Sequence, residues 1–238
     1  MAISYVAAAT VANSTISTTS LACNVPSGTA AGDVMVAVIS RATTGSTVST
    51  PSGWTIVPSF PVTNSNGTTL LAFYRVASAS EPASYTFTGS AQKWCIAICT
   101  YRGVDNTSPI NASAAAADTT NRAAHTSPSV TTTAANCWVL AAYCDRGTST
   151  ASTWSTPSGL TSRSGNVVTT GTSDNSLATF DTNAGQAAGS YSYASTASAS
   201  QSNAAMGTIA LAPAVILPPP SGPPPLILRQ ATARASLR

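Results

Sequence analysis

The chain has 238 residues, of which 43% are hydrophobic and only 7% charged, against roughly 25% charged in an ordinary soluble domain. Residues 1–212 carry seven Lys/Arg and seven Asp/Glu, so Arg229, Arg234 and Arg238 supply the whole net charge of +3. A neutral body excludes nucleic-acid binding through a basic face, and no apolar run approaches the roughly 20 residues that cross a bilayer as a helix.

The opening Met1-Ala2-Ile3-Ser4-Tyr5 lacks the basic start and apolar run of a signal peptide. Residues 3–12 are β-compatible, and residues 15–23 continue with Ser/Thr alternating with apolar side chains. Pro26-Ser27-Gly28 and Gly32-Asp33 mark turns. Val34 to Ile39 is a continuous apolar run of strand length, which predicts a central strand buried on both faces. Pro51-Ser52-Gly53 predicts a turn, and Asn64-Ser65-Asn66-Gly67 a hairpin. Strands are then expected over Thr69–Val76, Tyr85–Thr88 and Trp94–Tyr101, with Arg102 to Asp105 turning the chain onward. Later strands are expected over Cys137–Tyr143, Ser176–Phe180, Tyr191–Ala194 and Met206–Leu211. Ala112 to Asp118 fits a short helix or a β connection. Many short strands with no sustained helical period indicate a sandwich or barrel.

The chain also repeats itself. Thr50-Pro51-Ser52-Gly53-Trp54 returns 106 residues later as Thr156-Pro157-Ser158-Gly159-Leu160. Leu70 to Phe73 answers to Ser176 to Thr179, and Ser84 to Phe87 to Ser190 to Tyr193, at the same offset. Val36 to Arg41 faces Ala141 to Arg146 at an offset of 105. A lone sheet leaves one apolar face open, so the two halves are expected to pack face to face. The expected fold is therefore an all-β, jelly-roll-like antiparallel sandwich over residues 1–212, made of pseudo-repeats at about 1–105 and 106–212. After it, residues 213–225 read as a polyproline spacer. Residues 226–238 read as an apolar, basic docking arm, in which Leu226, Ile227, Leu228, Arg229, Arg234 and Arg238 are the candidate partner-binding residues.

Catalytic chemistry finds little to stand on. The single His125 lies in an expected loop, and no Gly-x-Ser-x-Gly elbow exists. The carboxylates sit mostly beside turn residues, where capping explains an Asp. There is no metal-ligand spacing, phosphate loop or dinucleotide fingerprint, so no enzyme activity, metal or cofactor is expected. Cys23, Cys95, Cys99, Cys137 and Cys144 are odd in number and loosely spaced, which is not a disulfide framework. Cys95 and Cys99 on one strand face stand roughly 13 Å apart, too far to bond to each other. Buried free thiols in a chain folded in a reducing cytoplasm are the expectation. Trp54, after a tight turn, and Trp154, in a polar loop, are candidates for stacking on a host-surface glycan.

Gly32-Asp33-Val34, Pro51-Ser52-Gly53-Trp54-Thr55, Tyr74-Arg75-Val76-Ala77, Glu81 to Phe87 and Tyr101-Arg102-Gly103-Val104-Asp105 occur in that order. The string resembles a β-sandwich module of structural proteins of tailed bacteriophages, especially those of actinobacteria, and of some bacterial surface proteins. The resemblance covers residues 1–212 and implies a virion context. Within it, the C-terminal arm favours a capsid decoration (minor capsid) protein on the capsid surface. Its partner would be the major capsid protein or another virion protein, with several copies, such as a homo-oligomer, on the particle. The alternative is a tail, fibre or surface module that binds glycans. Neither reading involves nucleic acid or a membrane.

Overall fold

A computed structural model describes residues 2–13, 17–45, 47–147 and 151–215. Among them are eighteen strands and no helix. The first half holds β1 (Ser4–Ala12), β2 (Thr18–Asn24), β3 (Val34–Arg41), β4 (Val48–Ser49), β5 (Thr55–Ile56), β6 (Val62–Asn64), β7 (Thr68–Val76), β8 (Ser84–Gln92) and β9 (Trp94–Arg102). The second holds β10 (Ile110–Asp118), β11 (Arg122–Thr126), β12 (Val130–Thr132), β13 (Trp138–Cys144), β14 (Thr161–Val168), β15 (Ser176–Asp181), β16 (Gly189–Tyr191), β17 (Ala194–Gln201) and β18 (Ala204–Leu211).

The two halves share one strand order. The large sheet of the first runs β1-β9-β3-β7-β5, with β6 also on β7, and that of the second runs β10-β18-β13-β15-β14. Register follows the sequence repeat: Val38 pairs with Ala72, and its counterpart Tyr143 pairs with Ala178. Bulges interrupt β1 between Tyr5 and Ala7 and β10 between Ile110 and Ala112. Both Pro-Ser-Gly turns close with a residue i to i+3 bond, Trp54 N to Pro51 O and Leu160 N to Pro157 O. Gly53 and Gly159 hold the left-handed conformation at φ 84° and 79°, which disfavours any side chain there.

A smaller sheet covers each large one. It is β2-β8-β4 in the first half. In the second it is β11-β17, extended by β12-β16 and by a bridge from Trp154 to Ala197. Each half is thus an antiparallel jelly roll with its own core. This refines the expectation that the two halves would supply the two layers of one sandwich. The reason lies in runs such as β3, which is buried along its whole length. Met35, Ala37 and Ile39 face the first half's core with Phe73, Phe87 and Ile96. Val34, Val36 and Val38 face the other way, into a central core with Leu140, Leu177 and Ile209 of the second half. A strand apolar on both faces needs a layer on each side. The large sheets therefore pack back to back, giving four layers.

The contact between halves is pseudo-twofold. The β1 edge lies against β14, and β10 lies against β6. At the first edge the Arg163 guanidinium sits 4.1 Å from the Tyr5 ring centroid. At the second, Ser113 Oγ donates to Pro58 O at 2.6 Å. The Phe60 ring crosses to lie over Gly207 of β18, where a Cβ would overlap it.

Both large sheets run between the same two ends. At one end, the base, the strands lead into the turns at 103–109, 182–188 and 212–215. Ala214 N donates to Gly103 O at 2.8 Å there, Asp105 N donates to Ala212 O at 2.9 Å, and Val104 bridges Pro213. The sandwich therefore continues to Ala214, two residues past the expected boundary. The remainder of the expected spacer, residues 216–225, and the whole arm lie outside the described residues. The other end, the tip, carries the turns around residues 42–45, 65–67, 92–93 and 169–175.

Candidate functional site

The two tryptophans expected to offer exposed faces do not. Trp54 is 7% exposed and packs edge-on against Tyr85 and Phe87. Trp154 is 4% exposed, lies between Tyr143 and His125, and donates from Nε1 to Ser176 Oγ at 2.9 Å. Each ring caps the outer core of its own half, and neither presents a face to solvent. Their polar sequence neighbours concealed this, because the covering residues come from distant strands. The docking residues Leu226, Ile227, Leu228, Arg229, Arg234 and Arg238 fall outside the described residues.

All five cysteines are buried and free. Burial pushes the Cys23, Cys99 and Cys144 thiols up to about 12 and raises Cys95 well above the ordinary thiol value, so they are protonated and unreactive. Cys95, Cys99 and Cys144 belong to the central core.

The few charges are spent internally. Arg75 pairs with Glu81, Lys93 with Asp174, Arg102 with Asp33, Arg122 with Asp118, and Arg163 with Asp181. Two of these links lie between the halves or next to that seam. Lys93 Nζ, at the end of β8, reaches Asp174 Oδ1 at 3.0 Å and Thr170 O at 2.7 Å. Asp181 takes two bonds from Arg163 and one from the Tyr101 hydroxyl at 2.9 Å. Asp105 caps the turn between the halves through Thr107 N at 2.8 Å, as its sequence context predicts. The buried pairs were not legible in the sequence, since their partners lie up to 81 residues apart.

His125 is not in a loop but on β11, and is 1% exposed. Its Nδ1 lies 3.0 Å from Asp118 Oδ2 and its Nε2 3.0 Å from Arg122 O. Both ring nitrogens are thus committed to acceptors within three to seven residues, and the ring holds the β10–β11 turn closed. Burial raises the Asp118 carboxyl, but bonds from Arg122, Thr120 and His125 outweigh it and leave it below the usual carboxylate range. Among the described residues, the imidazole bonds to Asp118 and the Arg122 carbonyl and to no hydroxyl or thiol. Among the described residues, no three His, Cys, Asp or Glu side chains gather into a metal-sized cluster.

One hollow lies at each end of the seam. The tip cleft, about 440 Å³, is lined by residues of both halves, among them Thr43, Thr44, Lys93, Arg146, Thr172 and Ser173. The base hollow, about 540 Å³, is lined by Ile3, Trp138, Asn183, Pro213 and Ala214 among others. Val215 leaves its rim at 74% exposure. Arg41 and Arg146 occupy equivalent places in the repeat, yet differ. Arg41 is fully buried against the Trp94 ring at 4.0 Å, donates to the Ser90 carbonyl, and is pulled down to about 10 by burial. Arg146 is half-buried and opens on the tip cleft.

Comparisons with family models, with curated proteins and with solved structures return no match.

Proposed function

We propose that the chain is a non-enzymatic structural protein of a virion, a decoration protein held on the capsid surface by its C-terminal arm. The observation that carries this reading is the direction in which the chain leaves the sandwich. Residues 103–105 clamp residues 212–214 at the base, and the highly exposed Val215 departs there. The proline-rich segment and the Leu226–Arg229 cluster follow in sequence. A docking segment that follows the base in sequence leaves the tip loops free on the outside. The resemblance of residues 1–212 to phage structural modules supports the same reading. One short arm buries little surface, so attachment draws on several copies acting together, as a homo-oligomer on the particle would provide.

The test is a truncation ending at Val215, which keeps the hydrogen bonds at Gly103, Asp105 and Pro109. The shortened protein is expected to fold with an unchanged melting temperature and to fail to co-sediment with particles. Full-strength co-sedimentation of the folded truncation would end the arm assignment.

A further inference from the structure

We infer that the tip cleft is a binding site for an acidic saccharide, held by Arg146 at its carboxylate and by the surrounding hydroxyls. The inference concerns the end of the molecule opposite the arm and holds whatever the base attaches to.

The charge arrangement comes first. Among the described residues, Arg146 is the one arginine that has no carboxylate partner and is not fully buried. Its guanidinium makes one long bond, Nη1 to Gly67 O at 3.4 Å. Among the described residues, the one other charged group lining the cleft is Lys93, and Asp174 neutralises it at 3.0 Å; no carboxylate of the described residues lines the cleft. The site therefore offers one uncompensated positive charge, in the planar fork that matches a carboxylate bidentately.

The remaining lining then narrows the ligand. Thr43, Thr44, Thr172 and Ser173 bring hydroxyls, and Gln92 an amide; each of these groups both donates and accepts. A bare oxyanion uses donors alone and fills little of 440 Å³, a volume within the range of small-molecule sites. A sugar ring carrying a carboxylate uses the cation, the donors and the acceptors together. No aromatic side chain lines the cleft, so recognition rests on hydrogen bonds rather than stacking.

The site also has a fixed frame. Lys93 is pinned by two bonds, and Asn203 holds the Arg146 backbone from both sides, with its Oδ1 accepting from Arg146 N at 3.1 Å and its Nδ2 donating to Arg146 O at 2.5 Å. Such a frame fixes the backbone from which the Arg146 side chain reaches the cleft.

The experiment is ligand-observed saturation-transfer NMR on the full chain with glucuronate and N-acetylneuraminate, beside methyl glucoside and sodium sulfate. Either acidic sugar is expected to bind, with methyl glucoside at least tenfold weaker. Arg146→Gln is expected to weaken binding at least tenfold, and Thr172→Val on the exposed lip severalfold. Arg102→Gln at the base is expected to leave binding unchanged. Melting curves establish that each variant is folded; should Arg146→Gln fail to fold, a Thr172→Val/Ser173→Ala variant carries the test. No saturation transfer from either acidic sugar, equal binding of methyl glucoside, or displacement by sulfate at equal concentration would each overturn the assignment, the last by reducing the cleft to an anion site.

Discussion

Three residues converge on the Glu81 carboxylate: Arg75 through Nε and Nη2, Ser78 through its amide and hydroxyl, and Tyr85 through its hydroxyl. Burial alone would raise this acid, but the donors outweigh it and hold it at about 2. The unfolded value is about 4.3, so the folded state binds the proton less readily. The resulting stability is present above the unfolded value and is lost as pH falls through the folded one. Asp118 is displaced in the same direction. The melting temperature is therefore expected to fall between about pH 5 and pH 2, and Glu81→Gln to melt lower at neutral pH with a shallower acid slope. An unaltered slope in that variant would contradict the argument. The sequence places Glu81 between the expected strands Thr69–Val76 and Tyr85–Thr88, but the converging donors were not legible there. The same holds for Trp54 and Trp154: composition marks them as large and amphipathic, but only the distant Tyr85 and Tyr143 decide that they are covered.

At the level of elements, strands with continuous apolar runs were readable because both their faces are covered: β3, β9, β13 and β18 appear in the sequence almost as they do in the fold. β11, β12, β14 and β17 escaped, being short or made mostly of small and polar residues with few large apolar side chains. β10, INASAAAAD, fits a helix equally well by propensity; its pairing with β18 over the whole length makes it a strand. Within β18, Gly207 meets the other half directly, with the Phe60 ring in the place of its side chain. Gly207→Ala is expected to destabilise the protein by about 1–3 kcal/mol through overpacking, read as a lower urea midpoint at unchanged slope. Phe60→Leu in the same chain is expected to recover part of the loss, because it vacates the space the new methyl needs.

For the molecule as a whole, the central core joins Val36, Val38 and Cys99 of one half to Leu140, Leu177 and Ile209 of the other. The Lys93–Asp174 pair adds a cross-link in which both side chains are at most 8% exposed, and breaking such a pair from one side costs about 3–5 kcal/mol. Neither half can open without exposing the other, so urea unfolding is expected to be a single transition. Tryptophan fluorescence and circular dichroism should coincide, because Trp54 and Trp94 report on the first half and Trp138 and Trp154 on the second. Two separated steps would mean that the seam is weaker than its burial indicates. The repeat spacing predicted two related halves. It did not predict that each would close its own core, since a hydrophobic pattern records that a face is covered but not by which layer.

The seam between the halves has the geometry of a symmetric dimer interface, yet it lies within one polypeptide. Two identical subunits would have to set the same residue on each side of their axis. A tethered pair is released from that condition and also associates without depending on its own concentration. Arg41 and Arg146 make use of this release: one is folded away beneath Trp94 and the other faces the cleft. A single, lopsided site near a twofold axis becomes possible because the two copies are no longer obliged to be the same.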